Sequence, residues 1–308
     1  MSAAIDLYIG INETKWNHHP VSTGPLACVA PVYGATIATK KENCVSVPDD
    51  ADVYEDSGAF SDGPGQRLSF ADALTRQIEH AKKYEYIRQV RALASYDRLI
   101  DEKWSNGSRS KIRWSESEAV AAVSETVDAA RFLSAHRGDD VPAGAKLILS
   151  AQGVTPAQYL ECAQRIAPFF DGDVLGLGGW CILGKRPSLM SSFRETIRLV
   201  VPFAAQFTKR IHIWGMCYAP ALGELLWMCD RYGIELSTDS SGPQVRPTRG
   251  DWGYMGWRDP DYKRAPVETR GLDRARHVKA TRAWLADFRS LEWYREPKKG
   301  KGEQLCLF

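Results

Sequence analysis

KLILSAQGVTPAQYLECAQRIAPFF, residues 146–170, carries three signals in a fixed order. Lys146–Ala151 is an apolar run of strand length, Gln152-Gly153 is a polar break at its end, and Thr155-Pro156 opens a helix over Ala157–Phe169. Threonine caps the first turn, and proline at the first helical position sacrifices no bond, because that N–H has no partner inside a helix. A strand followed at once by a capped helix is one βα unit.

The same order recurs along the chain. Candidate strands are Ile5–Ile9, Asp52–Glu55, Arg91–Tyr96, Lys146–Ala151, Asp173–Leu177, Arg210–Trp214 and Ile234–Thr238, with a further apolar run at Leu26–Val32. Helices are expected over Ala71–Lys83 behind a Ser69/Asp72 capping box, over Glu116–His136 with Val120, Val123, Val127 and Ala130 at helical spacing, and over Ala219–Arg231 with Gly233 just past its end. Near-eight strands alternating with helices in 308 residues read as a (β/α)8 TIM barrel with loop insertions. The expected organisation is one barrel domain over 1–296 and a flexible tail over 297–308. Residues 105–113 (SNGSRSKIR) read as a long basic surface loop.

Composition narrows the function classes. Seven scattered cysteines without a C-x-x-C pair indicate neither a disulfide framework nor a zinc knuckle. Adjacent His18 and His19 lack further ligands at suitable spacing, so no metal is expected. No apolar run reaches the roughly 18 residues of a membrane span. Met1–Gly10 carries Asp6 and no basic start before an apolar stretch, so a cytoplasmic protein is expected. A net charge of +2 does not announce a nucleic-acid partner, which leaves the question to local clusters.

In a βα barrel the C-terminal ends of the strands converge on one mouth. Asp56-Ser57-Gly58-Ala59-Phe60, Asp97, Gln152-Gly153, Gly176–Cys181 and Asp239 all fall at such ends. Three carboxylates and an amide around one cavity suit a planar heterocycle rich in donors, such as guanine. A carboxylate beneath the sugar would attack C1′ while a second serves as acid and base, the division of labour in retaining glycosyl transfer.

These segments carry a family resemblance. DSGAF (56–60) resembles the DSGGF motif of the tRNA-guanine transglycosylases, AQG (151–153) their VQG, LGLGGW (175–180) their GGL stretch, and GIELSTDSSG (233–242) their GIDMFD strand, in the family's order. The zinc site of those enzymes has no counterpart, since only Cys306 follows the last motif, so their zinc subdomain is expected to be lacking. GINETKWNHHP (10–20), AQGVTPAQYLECAQ, GLGGWC and LSTDS are similar instead to the 7-deazaguanine DNA-modification transglycosylases of phages and bacteria. The resemblance implies that guanine in DNA is exchanged for a free 7-deazaguanine such as preQ0, without a cofactor, in a bacterial or phage-infected cell. It implies Asp239 as nucleophile and Asp56 as acid/base. Asp97 would read the purine edge, with Asp101 or Glu102 in its place if the match slides. Ser57, Gly58, Gln152, Gly178, Gly179, Trp180 and Met216 complete the expected base pocket.

A base stacked in a duplex must leave the stack before a barrel mouth reaches its C1′. Arg246, Arg249, Arg258 and Lys263 among Trp252, Tyr254 and Trp257 offer phosphate contacts and stacking faces, with Arg109 as a second contact. The same aromatics also suit packing under a long loop. The terminal QLCLF resembles the peptide by which bacterial DNA-processing proteins dock on the replicative sliding clamp. Gln304, Leu305, Leu307 and Phe308 would make that contact. Two other readings fit the residues: exchange in tRNA or another RNA, and a non-catalytic protein that binds a deazapurine or DNA.

Overall fold

Strand β7 (Lys146–Ala151) divides its side chains between two cores: Leu147 and Leu149 pack outward against helices, while Ile148 faces inward with Tyr54, Ala92, Ala94 and Val174. That alternation is what a strand in a closed barrel requires, since successive side chains point to opposite faces. The computed structural model describes residues 5–11, 34–38 and 52–240, the last with short gaps at 60–61, 63–66, 84, 101–102, 106–107, 111–113, 139, 182, 184–186 and 217. Eight parallel strands form the ring: β1 (Ile5–Ile11), β2 (Gly34–Ala38), β3 (Val53–Asp56), β4 (Val90–Ala94), β7, β8 (Val174–Leu177), β9 (Arg210–Ile213) and β10 (Glu235–Ser240). Each pairs with its neighbours in chain order, and β1 closes the ring by pairing with both β2 and β10. The fold is a (β/α)8 TIM barrel.

Helices α1 (Phe70–Lys83), α2 (Glu116–Ala135), α3 (Pro156–Ile166), α4 (Met190–Ala204) and α5 (Ala219–Arg231) follow β3, β4, β7, β8 and β9 in turn. Their starts have physical stops. Ser69 Oγ accepts from the Asp72 N–H, and full capping boxes form between Ser115 and Glu118 and between Thr155 and Gln158. At the end of α5 the Ile234 N–H returns to the Cys229 carbonyl, with Gly233 as the turning residue. Cys162 and Cys229 are buried in the layer between barrel and helices, and burial pushes both thiols up, that of Cys162 to about 12, so they are packing groups.

Several expectations shift. The second barrel strand is Gly34–Ala38; the expected Leu26–Val32 lies outside the described residues and contains Pro31, which suits a strand interior poorly. The loop expected over 105–113 contains part of an antiparallel ribbon, β5 (Lys103–Ser105) with β6 (Ser108–Ser110), and Arg109 sits on β6. On α2 the buried face includes Val123, Val127 and Ala130 as expected, together with Ala119, Ala122, Thr126 and Leu133, while Val120 is 47% exposed at its edge. Helix α4, unmarked by any cap, buries Phe193, Ile197, Val200 and Val201 on one face and is held by packing. Among the described residues no helix is long and apolar enough to cross a membrane.

The bottom of the barrel is tied by a buried carboxylate. Asp173, at the foot of β8, accepts from the Leu147 N–H at 2.9 Å and the Asp171 N–H at 3.0 Å, and pairs with the Arg137 guanidinium. The opposite mouth is free of that constraint and gathers the polar strand ends.

Candidate active site

Asp56 is the last residue of β3, and its Oδ1 accepts from the Gly58 N–H at 3.2 Å. Its carboxyl is raised from 3.8 to about 7, first by burial and next by the negative charge of Asp239, with Asp97 adding a smaller push in the same direction. Asp56 therefore stands within electrostatic reach of the other two carboxylates named from sequence. Arg76 opposes the rise, and it also anchors the turn after Asp56 by donating to the Ser57 carbonyl at 2.6 Å and pairing with Asp62 at 3.0 Å.

Asp239 lies within β10 rather than beyond its end, because the strand runs on to Ser240. Its Oδ1 accepts from the Gly215 N–H at 2.6 Å and stands 3.3 Å from His212 Nε2. Gly215 has φ +64 and a Cβ there would meet Cys181 Cβ at 2.9 Å, so only glycine presents this N–H without strain. His212 is fully buried, and its Nδ1 contacts Ser237 Oγ at 2.9 Å. The β9–β10 register sets this contact, since Ser237 stands directly opposite His212.

Asp97 follows β4, and Gln152 follows β7. Gln152 Nε2 donates to Asp97 Oδ2 at 2.5 Å, joining the ends of two neighbouring strands at the mouth. Burial raises the Asp97 carboxyl, while the Gln152 bond and then the Arg67 charge oppose that rise. Arg67 donates to the Asp97 carbonyl at 3.1 Å and covers the Tyr96 ring at 4.4 Å. Tyr96 donates its hydroxyl to Asp62 at 2.6 Å. Asp62, Arg67, Arg76 and Tyr96 thus clamp the Asp56 and Asp97 loops to one another, and none of them stands out in sequence as more than a loop or helix residue.

The remaining expected pocket residues fall into two groups. Gly178 lies beside Gln152, and its carbonyl accepts from the Tyr159 hydroxyl at 2.7 Å; Gly179 has φ +81; Ser57 is buried, with Oγ 3.4 Å from the Ala59 N–H. Trp180 and Met216 instead belong to the layer between barrel and helices: Trp180 is 5% exposed and stacked on Tyr159, and Met216 is 1% exposed with its carbonyl bonded by Thr238. Both support the mouth from behind, and Trp180 is a packing residue rather than an open face. Arg246, Arg249, Arg258, Lys263, Gln304, Leu305, Leu307 and Phe308 lie outside the described residues, as does the side chain of Arg109. A cleft lined by Asp62, Arg67, Arg98, Trp114 and Glu125 opens between the loop after Asp56, the end of β4 and α2.

No family model and no curated protein matches the chain. Among solved structures it is similar to a psychrophilic glycoside hydrolase family 10 endo-beta-1,4-xylanase, at 13% identity over 91% of this chain and 96% of the other, with a TM-score of 0.45. A protein assigned as a fructose-1,6-biphosphate aldolase from Coccidioides immitis aligns at 11% identity over 93% and 91%, also with a TM-score of 0.45. The exo-beta-1,4-mannosidase Op5Man5 from Opitutaceae bacterium strain TAV5 aligns at 14% identity over 77% and 53%, with a TM-score of 0.29. The barrel class rests on the closed ring of strands, and these neighbours assign no chemistry to the mouth.

Proposed function

We propose that the chain is a base-exchange enzyme that replaces guanine in DNA by a free 7-deazaguanine through a covalent aspartyl-sugar intermediate. The observation that carries this reading is the pair Asp56 and Asp239: two carboxylates in one barrel mouth, held in different environments. One is tied by a backbone N–H and approached by a histidine, and the other is lifted to about 7. A carboxyl raised towards neutrality can hold a proton and give it to a departing base.

In the first displacement Asp239 forms a bond to C1′ as the bond from C1′ to guanine N9 breaks. The electron pair leaves with guanine, which takes the Asp56 proton. The incoming 7-deazaguanine gives its N9 proton to Asp56 and attacks C1′, and the electron pair of the ester bond returns to Asp239. Two protons cross Asp56 in opposite directions, so it ends as it began, and a value near neutrality suits a group that must do both. Asp97 and Gln152 would read the heterocycle edge, as acceptor and as acceptor or donor respectively. DNA as the polymer comes from the resemblance of the sequence motifs, and the basic aromatic segment after Asp239 supports it.

The test incubates the full chain with labelled preQ0 and, in parallel, duplex DNA, single-stranded DNA and tRNA. Acid-stable label in DNA is expected, with a covalent adduct to DNA that disappears in Asp239→Ala. Label in tRNA alone would reassign the polymer. Absence of both label and adduct with every substrate would leave a binding protein.

A further inference from the structure

His212 is buried, touches the mouth, and supplies no proton to either displacement. We infer that His212 is a positioning residue that keeps a proton on Nε2 and aims it at Oδ1 of Asp239, so that Oδ2 is the atom that bonds to C1′. The inference rests on the base-exchange reading for its kinetic consequence and for an ionised Asp239, and on geometry for the contacts that place the proton.

The tautomer follows from three distances. Ser237 has one hydroxyl proton and two neighbours for it, His212 Nδ1 at 2.9 Å and the Ile211 carbonyl at 3.3 Å. If the hydroxyl donates to the nearer Nδ1, a neutral imidazole must carry its proton on Nε2. If it donates to the carbonyl, Nδ1–H donates to Ser237, and the 3.3 Å approach of Nε2 to Asp239 Oδ1 sets a lone pair against a carboxylate unless Nε2 is protonated as well. Either arrangement compatible with an ionised Asp239 has Nε2–H facing it. At 3.3 Å the contact is a close approach of ring nitrogen to carboxylate oxygen, off the line of a good hydrogen bond.

The ring is not free to turn away. Tyr54 and Trp214 meet it edge-on, with centroids at 5.4 Å and 4.4 Å, and Trp214 is itself fixed by a 3.0 Å bond from Nε1 to Ser150 Oγ. Among the described residues, both contacts to the Asp239 carboxylate, from Gly215 N–H and from His212, fall on Oδ1. The carboxylate is thereby held by one oxygen while the other reacts. When the ester to the sugar breaks, the returning charge spreads onto Oδ1, where two donors already wait. That is stabilisation present before the charge develops. No proton leaves His212 in either displacement.

The test uses the full chain with His212→Gln, His212→Asn and His212→Phe. Glutamine can place an amide N–H near the Nε2 position, asparagine can reach only the Nδ1 side, and phenylalanine fills the same volume without a donor. Glutamine is expected to keep kcat within about 3-fold, whereas asparagine and phenylalanine lose on the order of 100-fold in kcat with little change in KM for the free base. Melting temperatures show which variants remain folded. Equal kcat in all three folded variants, or loss confined to KM, overturns the positioning role. Nitrogen NMR of histidine-labelled wild type reads the proton directly and needs no activity: Nε2 protonated is expected, and an Nδ1-only tautomer overturns the inference even if exchange is observed. Absence of exchange in wild type with Nε2 protonated would instead count against the base-exchange reading and leave the proton's location standing.

Discussion

A Cβ added to Gly178 would stand 1.9 Å from Nε2 of Gln152, the atom that donates to Asp97 Oδ2. Glycine at the end of β8 is therefore a condition for the Asp97–Gln152 pair to form. Gly178→Ala must push the amide aside and break the link, because the backbone side of the contact cannot yield while Tyr159 holds the Gly178 carbonyl. The expected outcome is a loss of at least about 10-fold in affinity for the free base, read by isothermal titration, with a far smaller effect on the melting temperature than on binding. Unchanged affinity would remove Gln152 from base recognition.

Asp56 gives the site a pH dependence whose sign can be worked out. In the unfolded chain the carboxyl ionises near 3.8, and in the folded chain at about 7. Between those values the folded chain holds a proton that the unfolded chain has lost, so stability is fully present below pH 3.8 and declines as pH rises towards 7. Asp56→Asn is neutral at every pH and is expected to be more stable than wild type by roughly 1–3 kcal/mol at about pH 8, with the gap closing near about pH 4. Denaturant unfolding at the two pH values checks this. Exchange activity in wild type should show a limb at about pH 7 that the Asp56→Asn variant, being inactive, cannot report.

Much of this mouth is legible in sequence because it consists of polar residues interrupting apolar strands: Asp56, Asp97, Gln152 and Asp239 stand out against VY, RALASY, LILSA and LST. Two things are not legible, for one reason. His212 in RIHIW reads as a lone core histidine, and its contact with Ser237 exists only through the β9–β10 register. The Arg67, Arg76, Asp62 and Tyr96 clamp likewise joins segments about 30 residues apart through side chains that look ordinary singly. The reverse error affects Trp180, which follows a glycine-rich strand end but turns into the helix layer, where Tyr159 and Phe193 enclose it.

The foot of the barrel should respond to mutation in stability alone. Asp173 has a side chain with no exposure, and it serves Arg137 and the Leu147 and Asp171 N–H groups together. Asp173→Ala strands a guanidinium and two backbone donors, with an expected loss of about 3 kcal/mol in denaturant unfolding. Any exchange activity of the folded fraction should stay within about 2-fold of wild type, because these contacts sit at the end of the barrel opposite the mouth. A large fall in kcat with unchanged stability would contradict this separation of roles.

Asp239→Asn offers a test of the mouth that needs no turnover. The Asp239 charge is the second cause of the rise at Asp56, after burial. Neutralising it removes that cause and leaves the first, so the Asp56 carboxyl should titrate lower than in wild type yet still above 3.8. Carbon NMR titration of aspartate-labelled protein reads the shift, with Asp56→Asn assigning the resonance. The interaction is Coulombic, so added salt should blunt the wild-type value only weakly, since a half-buried pair is poorly screened. An Asp56 titration indifferent to residue 239 would mean that the two carboxyls do not share a cavity, and base exchange by this pair would then have no physical basis.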